Sequence, residues 1–222
     1  MFKNKKLLII ISLLIILLLS ILLIFKFNYY SRNQILNLIN LGKDFPNNIH
    51  INITQKNNNN LIGTIDKYIK DKNIYIKQQE NGALVENLYD IKNSSQITII
   101  HNEKHINTNN NYTYINSTDY ENLFKDIIDT SFDYKYYGKE TINNKNYIKF
   151  SLSKREAHQI TEYLYYLNLN TNKISKIEII IKDISNNIIK KDEFIYTYSY
   201  NVVTDNDILK FDINNYSDYT KS

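Results

Sequence analysis

The first pattern along the chain is an almost unbroken apolar run near its start. Residues Leu7 to Phe25 are all aliphatic or aromatic, apart from Ser12 and Ser20. A helix of this length would be about 28 Å long at ~1.5 Å per residue, close to the roughly 30 Å apolar thickness of a bilayer. The pattern therefore predicts one transmembrane helix over residues 7–25.

The charges that flank this run predict its direction. Lys3, Lys5 and Lys6 precede the run, whereas only Lys26 and Arg32 follow it closely. Because the cytoplasmic flanks of membrane helices are enriched in basic residues, we expect a cytoplasmic N-terminus and an extracytoplasmic C-terminal domain.

Cleavage of this segment is not expected. The apolar run is longer than that of a typical signal peptide, and no small-x-small site follows it. The chain also has no Cys to which a lipid could be attached. The segment is therefore predicted to remain as a single-pass anchor in the cell membrane.

A short amphipathic helix is predicted just after the anchor. Ser31 and Gln34 have the spacing of a capping box, apolar residues follow at helical intervals, and Gly42 is typical of a helix C-terminus. These features predict a helix from about Arg32 to Leu41, which Pro46 would prevent from continuing.

From residue 49 onward, apolar residues alternate with polar ones, which is the period of β-strands. Asn, Asp and Gly residues separate the runs, so an antiparallel order is expected. In the last run, Phe194, Tyr196, Tyr198 and Tyr200 share one face. A sheet of this width with one polar side must curve around its apolar side. The predicted strands lie at about 49–53, 65–69, 74–76, 84–91, 96–101, 105–107, 112–115, 147–152, 163–169, 174–181 and 194–203.

One further helix is predicted among the strands. Thr118 and Glu121 form a second capping-box pair, and the apolar residues near them recur at i, i+3, i+4, i+7 and i+8. We expect this helix to bury its apolar side against the sheet or against a ligand. The residues on that side are Tyr120, Leu123, Phe124, Ile127 and Ile128.

The predicted fold class is α+β and mainly β. It is a curved antiparallel sheet, or unclosed half-barrel, covered by one or two helices and preceded by one transmembrane helix. A helical segment is also expected over residues 154–162. The predicted organisation is a cytoplasmic N-terminus at 1–6, the anchor at 7–25, a juxtamembrane helix at 26–45, the β domain at 46–213 and a polar, frayed tail at 214–222.

Charge and composition exclude several functions. The net charge is +4, and the four lysines around the anchor account for it, so the remaining domain has 23 basic and 23 acidic side chains. A neutral domain is not expected to bind nucleic acid. Without Cys, a thiolate metal site is excluded, and four Gly are too few for a phosphate-binding loop. No cofactor is predicted.

Two groups of titratable residues are the local candidates for chemistry. His101 and His105, with one Glu between them, could meet across a hairpin, but a metal site needs at least a third ligand. Glu156, His158 and Glu162 would have to converge in a cleft to act as acid and base. Exposed turns are the favoured interpretation in both cases. We therefore predict neither a metal site nor catalytic residues, and the protein is not expected to be an enzyme.

In the second half of the chain, a Gly-x-Glu strand, a Thr-x-x-x-x-Lys hairpin and a closing strand before a Phe follow one another. The segments are Tyr137–Ile142, Tyr147–Phe150, Tyr166–Glu178, Phe194–Val203 and Phe211–Asp212. Their order resembles that of lipoprotein-carrier domains of the LolA/LolB type, with similar element order over roughly Ile35 to Asp212. The resemblance implies an unclosed antiparallel barrel, covered by helices, that can hold acyl chains or a protein partner.

The aromatic residues are the most informative candidates for binding. The chain has 20 Tyr, and a large amphipathic ring can line an apolar groove or contact a partner. Each ring alone is better explained as core or sheet surface, but residues of the second helix and the last strand could together wall a cavity. The predicted ligand-binding residues are Leu123, Phe124, Ile127, Phe194, Tyr196 and Tyr198.

These observations predict a membrane-tethered extracytoplasmic domain that binds an apolar ligand, such as a lipid or acyl chain, or a cell-envelope protein. The alternative is a non-catalytic structural tether, or a partner of an envelope or spore-cortex enzyme, with no ligand cavity. A spore-germination lipoprotein similar to this fold has that partner role, but its lipid-attachment Cys is missing from this chain.

Overall fold

The computed structural model describes residues 11–20, 29–42, 46–110, 127–209 and 216–222. The named helices are α1 (Arg32–Gly42) and α2 (Asp205–Leu209), and a 3-10 turn lies at His101–Glu103. The strands are β1 (Asn48–Asn57), β2 (Asn60–Lys70), β3 (Asn73–Glu80), β4 (Ala83–Asp90), β5 (Ser95–Ile100), β6 (His105–Asn109), β7 (Asp133–Ile142), β8 (Lys145–Arg155), β9 (Gln159–Asn168), β10 (Lys173–Asp183), β11 (Ile188–Tyr200) and β12 (Thr220–Lys221).

All twelve strands belong to one sheet, in the order β12-β6-β5-β4-β3-β2-β1-β11-β10-β9-β8-β7. Two antiparallel meanders, β1 to β6 and β7 to β11, are joined where β1 pairs with β11. The sheet is curved and does not close, because β7 and β12 lie at opposite edges. The predicted mainly β fold with an unclosed antiparallel sheet is therefore confirmed.

Asn and Asp residues make most of the tight turns between the strands. Many of these turns need a positive φ, a conformation that Asn and Asp tolerate better than most other side chains. Positive φ angles occur at Asn58, Asn59, Asp71, Asn81, Asn143, Asn144, Asn172, Asn186 and Asn201. The predicted role of Asn and Asp as turn formers is confirmed, whereas Asn201, predicted to lie in the strand at 194–203, falls just after the end of β11.

Helix α1 forms where the sequence predicts it and packs on the sheet. The backbone N–H of Ser31 donates to Gln34 Oε1 at 2.8 Å, and the Gln34 N–H donates to Ser31 Oγ at 3.4 Å, which confirms the capping box. Ile35 and Ile39 are fully buried. The helix ends at Gly42, where an added Cβ would lie 1.8 Å from the carbonyl oxygen of Asn172. Close packing, rather than a positive φ, explains this glycine.

We call the face of the sheet on which α1 packs the inner face. Its first cluster lies under α1 and includes Ile148, Phe150 and Leu167, all fully buried. Its second cluster is centred on the alternating Ile49, Ile51 and Ile53 of β1. Tyr196 packs against both clusters, so the two apolar regions are continuous across β11.

The opposite, outer face is covered in part by the chain after β11, which we call the C-terminal segment (residues 201–209 and 216–222). Helix α2 contacts β2 and β3, and Ile208 in this helix is 5% exposed. After it, Tyr219 packs against His101, and β12 pairs in parallel with β6. The prediction of a frayed tail is therefore wrong for residues 216–222, because backbone pairing and aromatic contacts fix them to the sheet.

A second correction concerns residues 154–162. The sequence predicts a helical segment there, but β8 continues to Arg155 and β9 begins at Gln159, with a turn between them. Pairing of Arg155 with Ile160 extends the hairpin almost to its tip. The cross-strand pairing outweighs the weak helical pattern of this short segment.

Several predictions fall on residues outside the described ranges. The strand at 112–115 and most of the second helix lie there, and of that helix only Ile127 and Ile128 are described as helical. The anchor at 7–25 is described only over residues 11–20, which are helical and exposed. Among the described helices, none is long and apolar enough to cross a membrane. The anchor stays a prediction.

Candidate binding face

The strand register shows which side chains share the inner face. Residues directly opposite each other on paired strands point to the same side. One row of the inner face therefore runs from β11 to β6 through Tyr200, Ile49, Ile69, Ile74, Tyr89, Gln96 and Asn109. A neighbouring row runs through Tyr198, Ile51, Lys67, Ile76, Asn87, Thr98 and Asn107.

The predicted ligand-binding residues fall into two groups. Ile127 is buried in the cluster under α1, whereas Phe194 and Tyr198 belong to the cluster on β1 and β11. Tyr196 connects them. The structure therefore places these four on one continuous apolar face, while Leu123 and Phe124 lie outside the described residues.

Burial varies along this face. Ile49 is fully buried and Ile51 is 8% exposed, so the middle of β1 is packed. Phe194, Tyr196 and Tyr198 are only half-buried. Tyr198 is held in position because its hydroxyl donates a 2.7 Å hydrogen bond to the carbonyl oxygen of Ile174. The three rings form a partly accessible apolar surface, in which Tyr198 is fixed by this hydrogen bond.

The inner face becomes polar on β4 to β6. Gln96 Nε2 donates to Thr98 Oγ1 at 3.0 Å and to Asn87 Oδ1 at 3.4 Å. The Thr98 hydroxyl donates to Asn87 Oδ1 at 2.7 Å. We call Asn87, Gln96 and Thr98 the amide cluster. Sequence reasoning did not single it out, although these residues alternate with Leu88, Ile97 and Ile99 along the same strands.

Sequence reasoning missed the amide cluster because the apolar side of the sheet changes from the inner face to the outer face at β5 and β6. Ile99 and Ile106, which pair with each other across β5 and β6, are buried on the outer face, where the C-terminal segment lies. The isoleucines of β1 point to the inner face. The prediction that one side of the whole sheet is apolar is therefore wrong for β5 and β6.

The outer face of β10 and β11 carries a compact group of four charges. Glu178 and Glu193 lie directly opposite each other, an arrangement that is repulsive by itself. Lys176 and Lys191 each contact both carboxylates, at distances from 2.5 to 3.2 Å. Burial alone would raise the pKa of Glu193, but hydrogen bonds from the two lysines outweigh it and hold that pKa below its usual value.

The candidate acid and base residues do not form a shared site. Glu162 is paired with Lys182 at 2.6 Å and accepts a 2.7 Å hydrogen bond from the Tyr137 hydroxyl. Burial opposes the effect of these contacts, yet they lower the pKa of Glu162. Glu156 and His158 are instead exposed in the turn between β8 and β9. Glu162 is therefore explained as part of a structural ion pair.

The two candidate histidines have separate contacts. His101 lies 3.2 Å from Glu86 and 3.1 Å from the Tyr219 hydroxyl, on the outer face. His105 lies 3.0 Å from Ser222 Oγ. Within the described ranges, no three metal-binding side chains are grouped closely enough to hold an ion. Both histidines contact the C-terminal segment and hold it on the sheet.

Described residues line cavities at two different places on the sheet. One of about 330 Å³ lies at the turns near Leu61 and Gly82, away from the predicted ligand-binding residues. The other, of about 190 Å³, lies over the polar part of the inner face. Its lining residues are Gln96, Thr98, Ile100, His105, Asn107 and Asn109.

Comparison with known proteins gives similarity in structure only. No family profile and no curated protein matches the chain. The lipoprotein LppX of Mycobacterium tuberculosis matches with 9% identity and a TM-score of 0.45, over 78% of this chain and 98% of that one. A putative outer membrane lipoprotein-sorting protein domain from Vibrio parahaemolyticus matches with 9% identity and a TM-score of 0.29, over 81% and 98% of the two chains.

A LolA superfamily protein from Nitrosomonas europaea matches with 12% identity and a TM-score of 0.29, over 80% of this chain and 96% of that one. Its superfamily, LolA, is the type that the second half of the present sequence resembles.

Proposed function

We propose that this protein is a non-catalytic binding domain whose inner face holds an apolar ligand. The ligand is either a lipid or acyl chain, or an apolar segment of a cell-envelope protein. In this proposal, residues 7–25 tether the domain to the cell membrane, with the sheet on the extracytoplasmic side. The basic residues before the apolar run support that orientation.

One observation carries the proposal: the two apolar clusters meet at Tyr196 on a single face, while α1 covers only the first of them. Beside Tyr196, the rings of Phe194 and Tyr198 are only half-buried. Partly accessible aromatic surface of this kind binds apolar groups because contact with a ligand removes it from water.

A pair of variants on adjacent positions of β2 tests the proposal. Ile65 lies on the inner face and Thr64 on the outer face, and both are half-buried. The full-length chain is purified in lauryldimethylamine oxide, and binding of a fluorescent fatty acid is titrated. We expect Ile65→Lys to weaken binding at least tenfold and Thr64→Lys to leave it within twofold. Absence of binding by the wild-type chain, or equal losses in both variants, would contradict the proposal.

A second function is favoured by the burial of β1. Because Ile49 is fully buried and Ile51 and Ile53 are each 8% exposed, the middle of the inner face is already packed. A domain of this kind could serve as a structural tether that presents its surface to an envelope or spore-cortex enzyme. The test is a pull-down of partner proteins from membranes. Capture of a partner that persists in Ile65→Lys but is lost when an outer-face residue such as Tyr137 is substituted would favour this function over ligand binding.

A further inference from the structure

The inner face has two chemically different ends. At β1 and β11 it presents isoleucines and aromatic rings, whereas on β5 and β6 the same rows present Gln, Thr and Asn, next to Tyr89 and Asn87 on β4. Paired strands are ~4.8 Å apart, so about 19 Å separates Thr98 on β5 from Ile51 on β1. Between the two ends, β2 and β3 present Ile69, Ile74 and Ile76 together with one charged residue, Lys67. A face that is apolar at one end and polar at the other fits a ligand with the same division.

The amide cluster is held in a defined arrangement. Gln96 Nε2 donates to Thr98 and Asn87 and, at 3.5 Å, to the Tyr89 hydroxyl, and the Thr98 hydroxyl donates to Asn87. Since Gln96 and Thr98 are half-buried, their remaining hydrogen-bonding capacity faces a restricted space. Asn107, on the adjacent strand, is exposed and adds an amide that can both donate and accept.

The space beside the amide cluster has a suitable size. The cavity of about 190 Å³ is lined by six residues of β5 and β6, all of which share the inner face. A cavity of this volume has room for a compact head group but not for an acyl chain.

The charge of the lining selects among head groups. None of the six lining residues is Asp, Glu, Lys or Arg. A phosphate group is usually bound by Arg, by Lys or by several backbone N–H groups at a helix N-terminus. The inner-face row through Thr98 has its only basic residue at Lys67, three strands away and therefore at about 14 Å. Hydroxyl groups, in contrast, are well matched by Asn, Gln and Thr side chains.

We propose that the polar end of the inner face, formed by the amide cluster and Asn107, binds the uncharged, hydroxyl-bearing head group of an amphiphilic lipid, whose apolar part lies along β1 and β11. The inference rests on the proposed function, because the apolar face must accept the rest of the ligand. It adds the ligand's class: a neutral glycolipid rather than an anionic phospholipid or a free fatty acid.

Three probes with matched acyl chains test the inference on the full-length chain. They are monoglucosyl diacylglycerol, phosphatidylglycerol and the free fatty acid, titrated by native mass spectrometry from lauryldimethylamine oxide, a detergent with no sugar. Free glucose is the fourth arm and separates recognition of a lipid head group from recognition of a soluble sugar. We expect the wild-type chain to bind the glycolipid at least tenfold more tightly than phosphatidylglycerol, and glucose not to compete at millimolar concentration.

Variants then locate the head-group site. The double variant Gln96→Leu/Thr98→Val removes the hydrogen-bonding groups with little change in size, and Thr108→Val on the outer face of β6 is the control. Two lost hydrogen bonds of ordinary strength correspond to about tenfold weaker glycolipid binding. Fatty-acid binding should stay unchanged in both variants, which also shows that they are folded.

The outcomes separate this inference from the proposed function. If the fatty acid binds but the glycolipid is not preferred, or if the double variant keeps full glycolipid affinity, the head-group site is refuted and the apolar binding face stands. If competition by glucose matches that of the glycolipid, the site recognises a soluble sugar and the lipid inference is refuted. If none of the three lipids binds, both proposals fail.

Discussion

Tyr134 and Tyr136 test how hydrogen bonding stabilises the inner face, because they share a strand and a face but differ in one contact. The Tyr134 hydroxyl donates a 2.6 Å hydrogen bond to the carbonyl oxygen of Tyr30. The Tyr136 hydroxyl is buried and, within the described part of the chain, has no hydrogen-bond partner. Both rings pack against the cluster under α1. Replacing each Tyr by Phe therefore changes the hydroxyl while keeping the ring.

The two substitutions should change the free energy of unfolding in opposite directions. Burying an unpaired hydroxyl costs about 1–3 kcal/mol, so Tyr136→Phe should stabilise the domain by about 1 kcal/mol. Tyr134→Phe removes a hydrogen bond worth about 0.5–1.5 kcal/mol and leaves the carbonyl of Tyr30 without that donor, so we expect a loss of about 1–2 kcal/mol. The two variants should thus differ by about 2–3 kcal/mol.

Urea unfolding of the full-length chain in detergent, followed by near-ultraviolet circular dichroism, measures both changes. In thermal unfolding, each kcal/mol should shift Tm by about 2–4 °C for a domain of this size. A change of the same sign in both variants, or destabilisation by Tyr136→Phe of more than about 0.5 kcal/mol, would refute the reasoning about the unpaired hydroxyl.

Three further predictions concern packing and charge. Ile39→Ala should destabilise by about 2–5 kcal/mol in urea unfolding because the side chain is fully buried, whereas Leu41→Ala, 71% exposed on the same helix, should stay within about 0.5 kcal/mol. Gly42→Ala should lower Tm by several degrees, since its Cβ would meet the backbone of Asn172, and an unchanged Tm would show that the helix end can move. Because the pKa of Glu193 is lowered in the folded state, its ionised form contributes stability above about pH 4.5, and this stability is lost on further acidification. The stability of Glu193→Gln should therefore depend less on pH in acid unfolding than that of the wild type.

The local elements of this fold could be predicted because each has a local physical signal. The capping box fixes the start of α1, and the alternation of Ile49, Ile51 and Ile53 requires a strand with one buried face. Asn and Asp at positive φ mark the turns. These signals depend on neighbours within a few residues, so they can be recognised without any knowledge of the tertiary structure.

The face that each strand presents could not be predicted in the same way. Alternation shows that Ile97 and Ile99 share a face, but only the pairing of β5 with β4 and β6 shows that this is the outer one. The C-terminal segment lies on the same face, but it is mostly polar in sequence. Tyr216 and Tyr219, which pack on His101, were the available signal.

The residues of the candidate binding face also divide into those that could be predicted from the sequence and those that could not. Phe194, Tyr196 and Tyr198 were predicted to line it because they alternate on one strand, and the register places them beside the isoleucines of β1. The amide cluster was missed because Asn87 and Thr98 come from different strands of a region where apolar residues point the other way. Their proximity is a property of the register and not of the sequence spacing.

The pairing of β1 with β11 is the contact that makes one face out of two meanders. All other neighbouring strand pairs except β6 and β12 are consecutive in sequence, whereas this pair joins residues about 150 positions apart, such as Ile51 and Tyr198. Closing so long a loop costs more entropy than forming a hairpin, so this pairing must be supported by side-chain burial. The second apolar cluster supplies it, because Ile49, Ile51 and Ile53 pack against the aromatic residues of β11. The half-buried aromatic residues of β11 that help to hold the two halves together, Phe194, Tyr196 and Tyr198, are thus also the ones that would contact an apolar ligand. Ligand binding should therefore stabilise the whole sheet against unfolding and not only the strands it touches.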